Sequence, residues 1–314
     1  MEIVAQLTDL PFTATRAVII NCGTKWVTSL ALASVLANTD CPVLVIDCES
    51  KDGSAFHFQR LARMCGLDFH WLPWPLRTHP DALDALFQSV PSDFVLLVDS
   101  DIELLSRRVF AGMTSGIAAD ASAYGAGFLH GPAWMGPEHG LPSCTGYYAE
   151  RMWIPLVLLR TASIGRALEA GCSFANRRPF FEIPDWPLLS RWIGYRYRVR
   201  GIRHLRIPGR WRRRRMPSVE IDGKYPAFIE YDTGADLHRQ LQKDGYSFAR
   251  LPEELWGDVR HYHGVTRAGL AGRVRRAAMS LRLASMETET EEGSVAADSR
   301  LRLSHVYGIR LPDE

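Results

Sequence analysis

The sequence has no long hydrophobic run, no closely spaced cysteines and no large excess of charge of either sign. None of its apolar stretches reaches the roughly 18 consecutive residues of a membrane-spanning helix. The amino terminus, MEIVAQLTDLPF, lacks the basic-then-apolar order of a signal peptide. The six cysteines lie far apart and form no CxxC pair, as is typical of free, buried thiols. We therefore expect a cytoplasmic protein without disulfide bonds.

The balance of charges also argues against a nucleic-acid-binding function. A formal net charge of +2 over 314 residues is too small to indicate a nucleic-acid-binding protein. Hydrophobic residues make up 46% and charged residues 23% of the chain, which is the composition of an ordinary globular protein. The length suits one large α/β domain, or one domain with an added lobe.

Short apolar runs alternate with helical patterns in the first hundred or so residues. The predicted strands cover residues 17–21, 42–47, 68–71 and 93–98. The predicted helices between them cover residues 26–37, 54–65 and 80–89. This alternation indicates a parallel α/β sheet with right-handed crossovers. Further along, residues 122–136 are irregular and rich in glycine, whereas 161–171 and 235–244 predict helices.

Polar clusters follow three of the predicted strands, at residues 22–25, 47–54 and 99–101. Ligands of such sheets bind beyond the carboxyl ends of the strands, so the clusters are expected on one edge. Asp99 and Asp101, two residues apart, can reach one site if the chain bends there. Paired carboxylates suit Mg²⁺ or Mn²⁺ that bridges phosphate oxygens. A solvated loop with two acids is the alternative, and the placement after a buried strand favours the metal site.

The three clusters resemble segments of GT-A fold glycosyltransferases that use nucleotide-diphospho-sugars, in particular the family 2-like enzymes. The matching segments are Asn21 to Lys25, Ile46 to Ser54 and Val98 to Asp101. The middle segment is similar to the D-x-x-S-x-D-G-[ST] loop of that family. The resemblance implies a mixed α/β sheet flanked by helices, a Mn²⁺ or Mg²⁺ cofactor and a UDP-, GDP- or dTDP-sugar donor.

The same resemblance implies which residues contact the donor. An acid of the middle loop receives the base or ribose in that family, which suggests Asp47 with Asp52 in support. A turn or helix cap is the alternative role for Asp47. The full set of implied donor contacts is Cys22, Gly23, Thr24, Lys25, Asp47, Glu49, Ser50, Asp52, Asp99 and Ser100.

The chain is expected to divide into two halves of one domain and a tail. The predicted units are a nucleotide-sugar-binding half at 1–105, an acceptor-binding and metal-completing half at 106–284, a flexible linker at 285–300 and a tail at 301–314. The linker prediction depends on the polar sequence SMETETEEGSVAADSR, which has no aromatic residue. The tail is expected to dock back as a strand.

His261 and His263 are candidates to complete the metal shell begun by Asp99 and Asp101. Neutral imidazole binds Mn²⁺, and an HxH sequence on an extended segment places both rings on one side. The resemblance favours His263, because similar transferases end in H-x-G-x-x-R. Two ordinary surface histidines are the alternative.

Asp185 and Glu182 are candidates for the general base that an inverting transfer needs. Family 2-like enzymes supply an Asp at the start of a helix beyond the acceptor loop, and Asp185 fits that place. The family pattern is an adjacent acidic pair, whereas these two acids are separated in this sequence. A helix-capping role for Asp185 is the alternative.

Aromatic residues lie where the resemblance places the acceptor, which would be a saccharide, a glycoside or a lipid-linked molecule. These residues are Trp134, Tyr148 and Trp186. Aromatic faces stack on sugar rings, and they also fill cores.

The dense basic run from Arg203 to Arg215 suits phosphate groups, because arginine forks match their geometry. Its candidate partners are the donor pyrophosphate, a phosphorylated or lipid-linked acceptor, and an anionic membrane surface contacted peripherally. A solvated loop is the alternative. We expect no nucleic-acid partner, and the sequence leaves a homo-oligomer open.

These features predict a metal-dependent glycosyltransferase that moves a sugar from a nucleoside-diphosphate donor to an acceptor hydroxyl with inversion. Retaining transfer on the same fold is the alternative if no base is present. A sugar-phosphate nucleotidyltransferase would need a glycine-rich loop after the first strand, and this chain has only Gly23 there. A nucleotide-sugar-binding protein without turnover is the non-enzyme alternative.

Overall fold

A computed structural model of the chain describes residues 1–134, 146–176, 228–262 and 285–310. The strands of its first part are β1 (Glu2–Ile3), β2 (Thr13–Asn21), β3 (Val43–Cys48), β4 (His70–Trp74), β5 (Ser92–Asp99), β6 (Ile102–Leu104), β7 (Ala123–His130) and β8 (Ala133–Trp134). The later strands are β9 (Gly146–Tyr148), β10 (Arg151–Arg160), β11 (Phe228–Glu230), β12 (Ser247–Arg250) and β13 (Val259–His261).

Helices cover both faces of the central sheet. They are α1 (Lys25–Asn38), α2 (Ser54–Cys65), α3 (His79–Ser89), α4 (Arg107–Ala119), α5 (Thr161–Glu169), α6 (Ala235–Lys243) and α7 (Ser285–Val306). Short 3₁₀ turns span Leu7–Asp9 and Glu253–Asp258. No helix within the described ranges is both long enough and apolar enough to cross a membrane.

The central sheet has eight strands in the order β1-β4-β3-β2-β5-β10-β7-β12. The strands from β1 to β5 run parallel to one another, whereas β10 runs antiparallel to both of its neighbours. Every residue of β3 is buried, as is typical of a parallel strand with helices on both faces. The prediction of a mixed α/β sheet flanked by helices is confirmed.

The local elements of the first hundred residues agree closely with the sequence. The helix predicted over 54–65 begins at Ser54 and ends at Cys65. The stretch 122–136, in contrast, was expected to be irregular and contains the buried strand β7. Its glycines serve close packing, since a Cβ at Gly125 would lie 2.8 Å from the Leu158 carbonyl oxygen of the adjacent β10.

The prediction of a flexible linker at 285–300 is wrong, because these residues belong to helix α7. The tail was expected to dock back as a strand, whereas residues 301–306 continue this helix. Leu303 and Ile309 are buried against Leu30 and Ala33 of α1 and Leu61 of α2. Tertiary contacts thus stabilise a segment whose composition alone indicates disorder.

A buried polar chain connects α6 to the sheet. The Tyr124 hydroxyl and the Glu150 carboxylate each contact one ring nitrogen of His238, the latter at 3.0 Å. Burial lowers the pKa of His238 below its ordinary value of 6.5, although the Glu150 carboxylate acts in the opposite direction. The folded protein therefore holds this imidazole neutral at a pH where the unfolded chain would protonate it.

This histidine is expected to make stability depend on pH. Because the folded pKa is depressed, its contribution is present above about pH 6.5 and is lost as the pH falls, at up to roughly 1.4 kcal/mol per pH unit. Urea unfolding at pH 7.5, 6.0 and 5.0 should show this decline, and His238→Gln should flatten it. An equal slope in the variant would exclude His238 as the source.

Candidate active site

The predicted polar clusters meet at the carboxyl edge of β2, β3 and β5. Asn21 lies opposite Asp47 in the β2–β3 register, and Ile20 lies opposite Asp99 in the β2–β5 register. The ends of all three strands are therefore level. The connection from β4 to α3 reaches the same edge, because Trp74 at the end of β4 lies opposite Cys48 of β3.

Asn21 joins the clusters, and its side chain is fully buried. Its amide nitrogen donates to Asp47 Oδ1 at 2.7 Å and to the hydroxyls of Ser50 and Ser54 at 3.0 Å each. Its amide oxygen accepts from the hydroxyls of Thr24 at 3.1 Å and Thr28 at 2.9 Å. From the sequence, Asn21 was predicted only as the start of a matching segment. The signal of its role is that it is a polar residue directly after the apolar run at residues 17–20, at the end of β2.

The loops at 22–25 and 47–54 are also tied together directly. Gly23 N donates to Ser50 Oγ at 2.8 Å, and Lys25 N donates to Asp52 Oδ2 at 3.0 Å. Ser50 Oγ in turn donates to Asp47 Oδ1 at 2.5 Å. Five of the residues predicted to contact the donor are thus brought into one hydrogen-bonded unit, namely Gly23, Lys25, Asp47, Ser50 and Asp52.

Two of these residues have particular surroundings. Glu49 is exposed and adopts a left-handed backbone with φ of 50°, which is uncommon outside glycine. Cys48, beside Cys22, is buried, and this burial raises the pKa of its thiol to about 12. The thiol is therefore protonated at neutral pH and acts as a small apolar group.

Asp99 and Asp101 each face one imidazole. His79 Nε2 lies 3.4 Å from Asp99 Oδ1, and His261 Nε2 lies 3.5 Å from Asp101 Oδ1. The Asp101 side chain is 3% exposed and that of Asp99 is 27% exposed. Between them, Ser100 accepts a hydrogen bond from Thr24 Oγ1 at 3.3 Å, which connects this turn to the donor loop.

His79 was not among the residues predicted from the sequence; it is the first residue of α3 and follows the capping residue Thr78. Burial lowers the pKa of His79, but the charges of Asp99 and Asp101 and a hydrogen bond to Asp99 raise it by more, so the net shift is upward. The charges of both carboxylates therefore act on the same imidazole.

The donor set at this edge fits a hard divalent cation in its chemistry. Carboxylate oxygens and an imidazole nitrogen are ligands that Mn²⁺ accepts, and Mg²⁺ accepts the oxygens. In the described part of the chain, no group of three or more His, Cys, Asp or Glu residues is close enough to hold an ion without other ligands. Phosphate oxygens of a donor, or His263 outside the described ranges, would have to complete the shell.

A cluster of aromatic rings packs against His261. The Trp153 ring meets the His261 ring edge-on at 5.6 Å and packs against Trp256 at 4.6 Å. Trp256 also stacks on Phe128, with 3.9 Å between ring centroids. These rings come from β10, β7 and the turn before β13, so the sequence pattern did not reveal the group.

The predicted acceptor residues Trp134 and Tyr148 lie in a small sheet of order β11-β9-β8. This sheet adjoins the start of β10, which extends past the carboxyl end of β5 because Leu156 already lies opposite Val98. The Arg151 guanidinium lies over the Tyr148 ring at 4.5 Å. The small sheet is therefore beside the edge that carries Asp99. Asp185, Glu182, Trp186, His263 and the run from Arg203 to Arg215 lie outside the described residues.

No protein-family model and no curated protein matches this chain. The matching solved structures include Staphylococcus aureus TarS 1–349, at 16% identity over 52% of this chain and 50% of that one, with a TM-score of 0.36. Glucosyl-3-phosphoglycerate synthase from Mycobacterium tuberculosis matches at 12% identity over 48% and 57%, with a TM-score of 0.33. The mannosyltransferase PcManGT from Pyrobaculum calidifontis matches at 13% identity over 97% and 84%, with a TM-score of 0.44.

This chain spans about half the length of the first two structures. The low identities and TM-scores describe a partial likeness, so a function for this chain depends on the residues of its own site. Its sheet order, with one antiparallel strand inside a parallel series and polar loops on one edge, is the GT-A type of mixed α/β fold that the sequence predicts.

Proposed function

We propose that this chain is a metal-dependent glycosyltransferase that takes its sugar from a nucleoside-diphosphate donor. The observation that carries the proposal is the position of Asn21. Its side chain joins the loops at 22–25 and 47–54, and Thr24 of the first loop bonds to Ser100 between the two aspartates. A polar edge built from three strand ends suits a ligand with a nucleoside at one end and phosphates at the other.

Each loop of this polar edge has a role in the proposal. Asp47 accepts a hydrogen bond from the base or ribose, and the edge of 22–25 faces the diphosphate. Asp101 and Asp99 hold the divalent cation, with His261 and His263 as further ligands. The bound cation supplies charge that neutralises the leaving nucleoside diphosphate.

The acceptor half of the proposal depends on the sequence alone. Asp185 is the proposed base, with Glu182 as the second candidate, and the resulting transfer inverts the anomeric centre. Trp134, Tyr148 and Trp186 are the proposed acceptor contacts. The acceptor class is a saccharide, glycoside or lipid-linked molecule, and the run from Arg203 to Arg215 would contact its phosphate or an anionic membrane surface.

The proposal is tested by assaying release of nucleoside diphosphate from UDP-, GDP- and dTDP-sugars in the presence of Mn²⁺. We expect release of nucleoside diphosphate from sugars of one nucleotide class, either by hydrolysis or by transfer of the sugar. Excess EDTA should abolish this release. The choice of donors to assay follows two of the similar structures. Glucosyl-3-phosphoglycerate synthase holds UDP with Mn²⁺, and PcManGT holds GDP-Man with Mn²⁺.

Two other outcomes have clear meanings. Tight binding of a nucleotide-sugar without turnover, across a panel of saccharide and lipid-linked acceptors, would indicate a binding protein. Absence of binding for every donor with Mn²⁺ or Mg²⁺ would refute the proposed function.

A further inference from the structure

Glu103 is a fully buried carboxylate two residues beyond Asp101. The Arg302 guanidinium of α7 donates to both of its oxygens, with Nη2 at 2.6 Å from Oε1 and Nε at 2.7 Å from Oε2. The hydroxyls of Tyr262 and Tyr307 complete the set at 3.1 Å each. Three distant segments of the chain therefore meet at one side chain.

The strand that carries Glu103 is short and belongs to the metal edge. Strand β6 pairs only with β13 in the described part of the chain, and His261 lies opposite Ile102 in that register. Tyr262 N donates to the Asp101 carbonyl oxygen at 2.9 Å. Asp101 and His261 are therefore connected by the paired strands β6 and β13, and Glu103 is the buried charged residue of this two-stranded unit.

Helix α1 holds the other side of this unit. Leu104 N donates to Ser34 Oγ at 3.0 Å, and Asn38 Nδ2 donates to the Leu104 carbonyl oxygen at 2.8 Å. Helix α7 packs on α1 through Leu303, and the Arg300 guanidinium lies over the Trp26 ring at 4.4 Å. The carboxyl-terminal helix thus spans from the start of α1, beside the donor loop, to the metal edge.

The chemistry of Glu103 makes the docked helix necessary. A buried carboxylate is costly unless an opposite charge and hydrogen-bond donors surround it. Arg302 supplies the positive charge, and Tyr307 comes from the same carboxyl-terminal segment. Without that segment Glu103 would turn toward water, and β6 would move with it. Because one residue separates Glu103 from Asp101, that movement would displace a proposed metal ligand.

We propose that Glu103, fixed by Arg302 of the carboxyl-terminal helix, is a positioning residue that holds Asp101 and His261 in the geometry that binds the divalent cation. This inference rests on the proposed function. It assigns α7 a task beyond covering the core, since the site binds metal fully only when this helix is docked.

The experiment compares full-length variants by Mn²⁺ affinity and by amide exchange. Free Mn²⁺ is titrated by electron paramagnetic resonance with the nucleotide that the native chain binds, at a temperature where each variant is fully folded. Arg302→Met is expected to raise the Mn²⁺ dissociation constant at least tenfold and to accelerate exchange of the Tyr262 amide. Arg302→Lys keeps the charge but loses the two-pronged contact, so an increase of about threefold is expected.

A matched control separates positioning from general stability. Ile164→Ala opens a cavity in α5, on a buried residue of a different core cluster, and should lower the melting temperature without changing Mn²⁺ affinity or Tyr262 exchange. Tyr307→Phe removes one hydrogen bond from Glu103, and a small increase in the dissociation constant is expected. It also provides a test if Arg302→Met does not fold.

The outcomes distinguish this inference from the proposed function. Native Mn²⁺ affinity in Arg302→Met and Arg302→Lys would overturn the inference and leave the proposed function standing. Equal weakening by Ile164→Ala would overturn it as well, because general destabilisation would then explain the effect. If the native chain binds no Mn²⁺ with any nucleotide, the proposed function and this inference fail together.

Discussion

Replacement of Asp101 with asparagine is expected to lower the Mn²⁺-dependent release of nucleoside diphosphate by on the order of 10²–10³-fold. The substitution keeps the size of the side chain and removes one negative charge from the proposed cation site. Asp101 is 3% exposed and faces His261 at 3.5 Å, so the lost charge is removed from a buried position directly beside the proposed cation site. Initial rates over a range of Mn²⁺ concentrations measure the effect.

The control for this variant is Asp258→Asn. Asp258 stands directly before β13 and pairs with Arg108 at 3.4 Å, while its backbone oxygen accepts from Leu105 N. The control therefore removes the same charge beside the pair of strands β6 and β13, at the end of the pair remote from the donor loop. We expect its rate to stay within about twofold of native, since exposed and partly exposed ion pairs contribute little. A native rate for Asp101→Asn would exclude Asp101 as a metal ligand.

Most elements of the parallel part of the fold could be predicted from the sequence, and β7 shows the limit. The run at 42–47 contains only apolar residues before Asp47, a pattern that indicates a buried strand without any knowledge of its neighbours. In β7 the glycines at 125 and 127 are read locally as loop residues. Their purpose appears only when β10 lies beside them, because a Cβ at Gly125 would lie 2.8 Å from the Leu158 carbonyl oxygen and one at Gly127 would lie 3.3 Å from the Leu156 carbonyl oxygen.

The site shows the same division between local and distant information. The loops at 47–54 and 99–101 could be recognised because each carries its polar residues in one short segment. Asn21 and His79 could not be assigned, because their partners lie far away in the sequence and are brought near only by the fold. Asn21 reaches Ser54, 33 residues away, and His79 reaches Asp99 across the edge of the sheet.

Helix α7 shows that composition alone does not decide order. Its sequence lacks aromatic residues over 285–300, which favoured a linker. The decisive contact joins Arg302 to Glu103, 199 residues earlier in the chain. A pattern read over a short window contains no information about such a pair.

A charge exchange between Asn21 and Asp47 is expected to separate folding from donor binding. Asn21→Asp alone places a second carboxylate within 2.7 Å of an oxygen of Asp47, in a fully buried position. Repulsion and the loss of a donor should lower the free energy of unfolding by about 2–4 kcal/mol, and the distorted loop should bind the donor at least tenfold more weakly.

The second change, Asp47→Asn, is expected to repair the fold of the Asn21→Asp chain. The amide at 47 then donates to the carboxylate at 21, so the contact is restored with its polarity reversed. The hydroxyls of Ser50 and Ser54 can rotate to donate to either residue. Urea unfolding of the native chain, both single variants and the double variant forms a double-mutant cycle, from which we expect a favourable coupling of about 1–3 kcal/mol.

Donor binding should not recover with stability, because the double variant has moved the carboxylate from Asp47 into the interior. Asp47→Asn alone should remain nearly as stable as native, since its amide oxygen still accepts from Asn21, yet should bind the nucleotide at least tenfold more weakly. Calorimetric titration with the nucleotide measures this loss.

Native affinity in the double variant would show that the Asp47 carboxylate does not contact the donor. Absence of coupling in the unfolding cycle would instead show that the Asn21–Asp47 contact does not anchor the loop. The two measurements therefore test the structural and the binding role of the same pair independently.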